Sequence, residues 1–191
     1  MRMQWTLAQY FSLCVLCFSL TALGFSLPAM AQNDETAKPV PPPPCSTAKY
    51  HQFDFWIGNW TVTSSGQPAG TNSIHPILND CALQENWQGT GGTTGNSFNI
   101  YDQATDKWHQ TWIDDSGTLL QLDGGLQDGS MVMQGQRPAP DGNGWTTHRI
   151  SWTPNPDGSV RQLWDASRDG ETWTVLFDGL YQKAAGTDGI R

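Results

Sequence analysis

The sequence predicts an all-β protein, an antiparallel up-and-down β-barrel of about ten strands behind a short N-terminal helical turn. Three observations predict it. Turn signals recur from Ser64-Ser65-Gly66 to Arg168-Asp169-Gly170, mostly 8 to 14 residues apart, a spacing that suits short strands and leaves no room for long helices. The segments between them are rich in Trp, Val, Ile, Thr, Phe and Tyr, alternate by twos, and show no sustained helical periodicity. The links are uniformly short, which favours a closed meander over a Greek-key sandwich with its longer crossings, and closure removes exposed sheet edges.

Composition narrows the function before any motif is considered. The chain has 191 residues, with 18 Asp and Glu against 10 Lys and Arg, giving a formal charge of -8. So acidic a surface repels phosphate backbones and argues against a nucleic-acid partner. Charged residues make up only 15%, against roughly 25% in an average soluble chain, while Gly numbers 20 and Trp numbers 10. Each tryptophan brings a large apolar body and one N–H that needs an acceptor when buried. The tryptophan content is therefore the feature that a functional account must explain.

Met1 to Ala31 reads as an export signal. It opens with Arg2, is apolar from Phe11 to Phe25, and closes with Ala29 and Ala31 at the positions that signal peptidase requires, so cleavage after Ala31 is expected. The alternative, an uncleaved anchor, has an apolar run short of the ~20 residues of a span. Leu13 and Leu16 precede Cys14 and Cys17 where a lipobox needs a small residue, and the C-x-x-C spacing of these cysteines falls inside the discarded segment. The expected mature chain is thus secreted or periplasmic, with no membrane segment and nine of the ten tryptophans. Residues 32–44, ending in four consecutive prolines, read as an extended disordered linker, and residues 45–191 as one barrel domain.

Cys45 and Cys81 are the remaining cysteines. An even pair in an exported chain reads as a disulfide, tying the entry of the domain to a strand and worth about 3 kcal/mol; two buried thiols are the alternative. The helical turn is placed around Ser46 to Phe55 with Ser46 as its cap. Alternation then assigns strand faces. Cys81, Leu83, Glu85 and Trp87 share one face; Trp108, Gln110, Trp112 and Asp114 another; Gln162, Trp164 and Ala166 a third; Trp173, Val175 and Phe177 a fourth. These faces set a polar residue among aromatic rings, a mixture that would line a cavity for a small, partly polar ligand.

Phe53-Asp54-Phe55-Trp56-Ile57-Gly58-Asn59-Trp60 places a G-x-W at the start of the first strand, behind a helical turn and ahead of the meander. This resembles the calycin-type barrels, which include lipocalins, fatty-acid-binding proteins and nitrobindin-like haem proteins. The phrases Glu85-Asn86-Trp87, Trp108 to Asp114, Val160 to Trp164 and Phe177 to Tyr181 are similar to those of exported bacterial proteins of unknown function with a lipocalin- or nitrobindin-like barrel. The resemblance implies a binding barrel in which Trp60 packs across the closed end beneath a late-strand arginine, Arg149 or Arg161, all three being structural. It does not extend to haem, which nitrobindin-like proteins hold through a histidine late in the chain; here none follows His148. Ser167-Arg168-Asp169-Gly170-Glu171-Thr172-Trp173 also resembles the Asp-box of sialidase-type propellers, but it occurs once, so it reads as a hairpin in which Asp169 bonds the turn and Trp173 folds over it.

No hydrolase elbow, zinc-protease helix, Walker loop or EF-hand pattern is present. Gly89 to Gly95 is a glycine-rich hairpin loop rather than a phosphate cradle, since no helix follows it. The four histidines lack ligand spacing, and no metal site or cofactor is assigned. His148 alternates with Ile150 and Trp152 and is expected to face inward. Glu85 is the most informative titratable group: buried between Leu83 and Trp87, it is paired with Arg149 or Arg161, protonated, or directed at a ligand.

The reading is a barrel that binds a small hydrophobic or amphipathic molecule, with Trp87, Trp112 and Trp164 as walls and Glu85, Gln110, His148 and Gln162 as polar contacts. An enzyme using Glu85 with His148 or Asp114, and a structural barrel whose aromatics only fill a core, are the alternatives. Nothing in the sequence names the ligand or sets an oligomeric state.

Overall fold

The computed structural model describes residues 40–185. The expected export signal, its cleavage site and the linker up to residue 39 lie outside the described residues. Two short 3-10 turns, Ala48–His51 and Asp54–Trp56, lead into ten strands: β1 (Gly58–Ser64), β2 (Gln67–Ile77), β3 (Ala82–Gly89), β4 (Thr94–Asp102), β5 (Lys107–Asp114), β6 (Leu119–Gln127), β7 (Ser130–Pro138), β8 (Trp145–Pro154), β9 (Val160–Ser167) and β10 (Thr174–Lys183). Each pairs antiparallel with its neighbours in sequence, and β10 pairs with β1 to close the barrel. The all-β class, the meander and its closure are therefore as expected.

Local chemistry explains the connections. Ser65-Gly66 and Asp128-Gly129 each form a two-residue hairpin with both residues at positive φ, the primed turn whose twist matches that of the flanking strands. Such turns fix register, and register fixes which face points inward. Met131 and Met133 on β7 and Leu120 and Leu122 on β6 accordingly lie in the core, with their strand neighbours turned outward.

One end of the barrel is plugged by the N-terminal turns. Phe53 stacks on Trp56 at 4.9 Å between ring centroids and meets Trp152 at 5.2 Å and Trp108 at 5.7 Å. Trp60 donates its indole N–H to the Trp56 carbonyl at 2.9 Å. A disulfide joins Cys45 to Cys81, in the turn before β3, so the lead-in is fastened to the same end. The turn is capped differently from expectation. Ser46 bonds back to the Pro43 carbonyl, and Thr47 stands at the N-cap without a side-chain bond.

The cation over Trp60 is also not an arginine. Lys183, at the end of β10, holds its ammonium 3.9 Å from the Trp60 ring and donates to the Ile57 carbonyl at 2.6 Å. Gly58 makes this crossing possible. Its φ is +142°, and a Cβ there would stand 2.2 Å from Lys183 Nζ. The glycine of Gly58-x-Trp60 thus clears a path for the lysine that covers the tryptophan. Arg149 and Arg161 are drawn elsewhere by carboxylates across the barrel's outer face: Arg149 binds Asp165 and lies 3.8 Å from the Trp173 ring, and Arg161 binds Asp178. Lys183→Met is expected to lower stability by roughly 1 kcal/mol, by loss of the cation–π contact and of the bond to Ile57, measurable by denaturant unfolding.

The hairpin before β10 follows the sequence reading in part. Asp169 accepts the N–H groups of Thr172 and Glu171, which hold its carboxyl well below the usual range. Trp173, however, folds over Arg149 rather than over the turn. A bulge between Val175 and Phe177 inserts Leu176 into β10, so Val175 is exposed while Phe177 faces inward. The expected single face of Trp173, Val175 and Phe177 is broken by that extra residue.

Candidate functional site

Above the aromatic plug the inward positions repeat one order on three strands. β3 runs from Leu83 to Glu85 to Trp87, β5 from Trp108 to Gln110 to Trp112, and β9 from Val160 to Gln162 to Trp164: a buried apolar residue, a polar residue, then an indole toward the turns. The result is a polar tier beneath an aromatic tier, around a cavity of about 220 Å³. Glu85, Gln110, Gln162 and Tyr181 lie at its lower level, and Trp87, Trp112, Trp164 and Phe177 form its wall. Leu120 and Ile150 complete the lining with Leu176, the bulge residue, which is half exposed and marks the open end.

The walls are seated against glycines. A Cβ at Gly95 would stand 2.2 Å from the Trp112 ring, and one at Gly179 would stand 2.4 Å from the Phe177 ring. Gly95 lies within β4 rather than in the glycine loop that the sequence suggests, and its missing side chain is the space that Trp112 occupies. Two of the three indole N–H groups are taken by residues that do not line the cavity. Trp112 donates to Asp114 at 3.3 Å and Trp164 to His148 Nδ1 at 3.1 Å.

Glu85 is 4% exposed. Its Oε1 accepts from Asn72 Nδ2 at 2.7 Å and its Oε2 from Ser97 Oγ at 2.5 Å. Behind these, Asn99 Nδ2 donates to Ser97 Oγ at 2.9 Å, and Gln110 Nε2 donates to Asn99 Oδ1 at 2.9 Å and to Ser97 Oγ at 3.4 Å. Asn72 and Ser97 thus donate to the carboxylate directly and Asn99 and Gln110 stand behind them, with Asn99 Nδ2 also reaching the Leu83 carbonyl at 3.5 Å. No arginine takes part, so of the three alternatives for Glu85 the pairing with Arg149 or Arg161 is not formed; both guanidinium groups are bound to outer-face aspartates. Burial pushes the Glu85 pKa up to about 7, against the opposing bonds from Ser97 and Asn72. Burial also raises the Tyr181 hydroxyl well above its usual value, reinforced by the Glu85 charge. Tyr181 donates to Gln162 Oε1, and the Asn72 amide reaches both Tyr181 and Glu85. Asn72 Oδ1 is buried without a donor.

Of the residues singled out in the sequence, Glu85, Trp87, Gln110, Trp112, Gln162 and Trp164 surround this one cavity. His148 does not line it; it stands behind Trp164 as the acceptor of the indole N–H, with its pKa lowered by burial and then by Arg137. Asp114 is taken up by its own turn, accepting from Ser116 and Thr118. The pairing of Glu85 with either group as acid and base is therefore not assembled.

Phe177, placed by alternation on an inward face, lines the cavity, and the site residues that sequence reasoning missed are Tyr181 and the supporting Asn72, Ser97 and Asn99. On β4 the usual pattern is inverted: Ser97 and Asn99 are fully buried while Phe98 and Ile100 face out, 48% and 38% exposed. Polar side chains alternating with exposed apolar ones are the signal that could have found them. Among the described residues no group of three or more metal-ligating side chains is gathered, and no helix is long and apolar enough to cross a membrane.

A closed ten-stranded antiparallel barrel with a plugged end and an internal aromatic cavity is the class of protein that this fold and site define. No family model and no curated protein matches the chain.

Proposed function

We propose that this is an exported barrel that binds a small amphipathic molecule in the cavity around Glu85, in the manner of the lipocalin- and nitrobindin-like calycin barrels that its sequence resembles. The observation that carries the reading is the cavity itself: a space of about 220 Å³, walled by three indoles and Phe177, with one buried carboxylate at its base. A purely structural barrel would gain from filling this space, because cavities cost stability and buried unpaired charge costs more. The Cys45–Cys81 disulfide supports an oxidising compartment and hence export.

At about 220 Å³ the cavity lies just below the roughly 300–1,000 Å³ of pockets for drug-sized ligands, which places its ligand at the small end of that scale. No histidine lines the cavity, so the residues present do not fit the histidine-held haem of nitrobindin-like proteins.

A ligand in this cavity lies against Trp112 and is expected to quench tryptophan fluorescence in a saturable manner. Trp112→Ala removes a wall and is expected to weaken binding about tenfold, which corresponds to roughly 1.4 kcal/mol. Fluorescence titration of both proteins checks this, and equal affinity would count against the site.

A further inference from the structure

We infer that the ligand of this cavity is a small organic cation, its ammonium or equivalent group seated against the Glu85 carboxylate and enclosed by the tryptophan faces. The inference rests on the binding reading above and adds the charge of what is bound.

The charges in the lining are one-sided. Glu85 is the one carboxylate among the lining residues, and no Lys, Arg or His lines the space with it. A buried carboxylate is normally paired with a cation or held protonated. Here β2, β4 and β5 offer neutral groups: Asn72 and Ser97 donate to Glu85 directly, and Asn99 and Gln110 donate to the groups behind it. The donors of Asn72 and Ser97 favour a negative charge on Glu85, and among the described residues no countercharge lines the cavity with it. The phenol of Tyr181 is the other titratable group facing Glu85, and it carries no positive charge in either form.

The walls point the same way. Because Asp114 and His148 take the indole N–H groups of Trp112 and Trp164, these rings offer the cavity their carbon atoms instead of donors. The electron-rich face of an indole attracts cations, and several such faces around an acid form the aromatic cage that selects alkylammonium groups. An anion would meet like charge at Glu85 and no cation to hold it. Asn72 Oδ1, buried beside the carboxylate without a donor, adds to the surplus of acceptors over donors. The formal charge of -8 favours the approach of cations over anions.

Calorimetric titration with three probes of one shape tests this: choline, its uncharged carbon analogue 3,3-dimethylbutan-1-ol, and the anion 3,3-dimethylbutanoate. The expected result is choline bound at least about tenfold more tightly than the alcohol, with no measurable binding of the anion. Glu85→Gln keeps the shape of the side chain and is expected to abolish the preference for choline over the alcohol. An alcohol bound as tightly as choline, or any preference for the anion, would overturn the cationic ligand while leaving the binding cavity intact. A preference that survives Glu85→Gln in folded protein, verified by near-ultraviolet circular dichroism, would also overturn it. If none of the probes binds the unsubstituted protein, the binding reading falls and the inference with it. The unsubstituted protein decides the matter even where the variant does not fold.

Discussion

Trp56→Ala is expected to lower the stability of the barrel by about 3–5 kcal/mol, the range for deleting a fully buried indole from a packed interior. Trp56 is 0% exposed, stacks on Phe53, and meets Trp152 at 5.4 Å and Tyr181 at 6.4 Å. It belongs to a 3-10 turn and not to a strand, so its removal unseats the N-terminal plug from the barrel end without breaking a ladder bond. Collapse around the site is limited, because Phe53 and Trp152 are themselves fixed by neighbouring rings. Trp56→Phe makes the packing origin testable. The Trp56 indole nitrogen is buried without an acceptor, so phenylalanine gives up some volume but also removes an unpaired polar group. Its cost is expected to be well under half that of alanine in denaturant unfolding. Equal costs would show that the indole's packing is not what holds the plug.

The second large effect is a dependence of stability on pH that originates at Glu85. Its carboxyl titrates near 7 in the folded protein, against 4.5 for the ordinary group. Between those values the folded state binds a proton that the unfolded state has released, so stability falls as pH rises through this window. The loss is complete above pH 7 and amounts to roughly 3 kcal/mol, since each tenfold difference in proton affinity between the two states is worth about 1.4 kcal/mol. Glu85→Gln removes the group, so the difference in unfolding free energy between the variant and the unsubstituted protein should grow in the variant's favour from pH 4.5 to 8. A difference that stays flat would show that the carboxyl is solvated. A bound cation opposes the effect, since it favours the ionised form in the folded state alone.

Much of this fold was legible because its turns and its alternation agree. Asp128-Gly129 names its own turn type, and Met131 and Met133 then fall inward by parity. Glu85, Gln110 and Gln162 stand out because each lies between apolar residues on its own face. Parity fails where the strand itself is irregular or inverted. The bulge at Leu176 reverses the face of Val175, and no residue type announces it. On β4 the polar Ser97 and Asn99 point inward because Glu85 needs donors, an obligation that arises on β3, across the ladder, and is absent from the local sequence. Lys183 is hidden from the sequence for a similar reason. It reaches Trp60 only once β10 pairs with β1, a contact across the whole length of the barrel domain. The arginines favoured for that place are held on the outer face by Asp165 and Asp178, partners which strand register alone reveals.

The central claim is that the cavity holds a buried, uncompensated carboxylate that a ligand reaches. The chain has only three glutamates, Glu35, Glu85 and Glu171, so carbon-13 labelling of glutamate side chains gives few carboxyl resonances, and Glu85→Gln identifies the one that matters. The direct measurement is the titration of that resonance by NMR, without and with saturating choline. The expected midpoint lies near 7 in the free protein and moves to lower pH when choline is bound. A midpoint near 4.5, or one that saturating choline leaves unmoved, would contradict the claim.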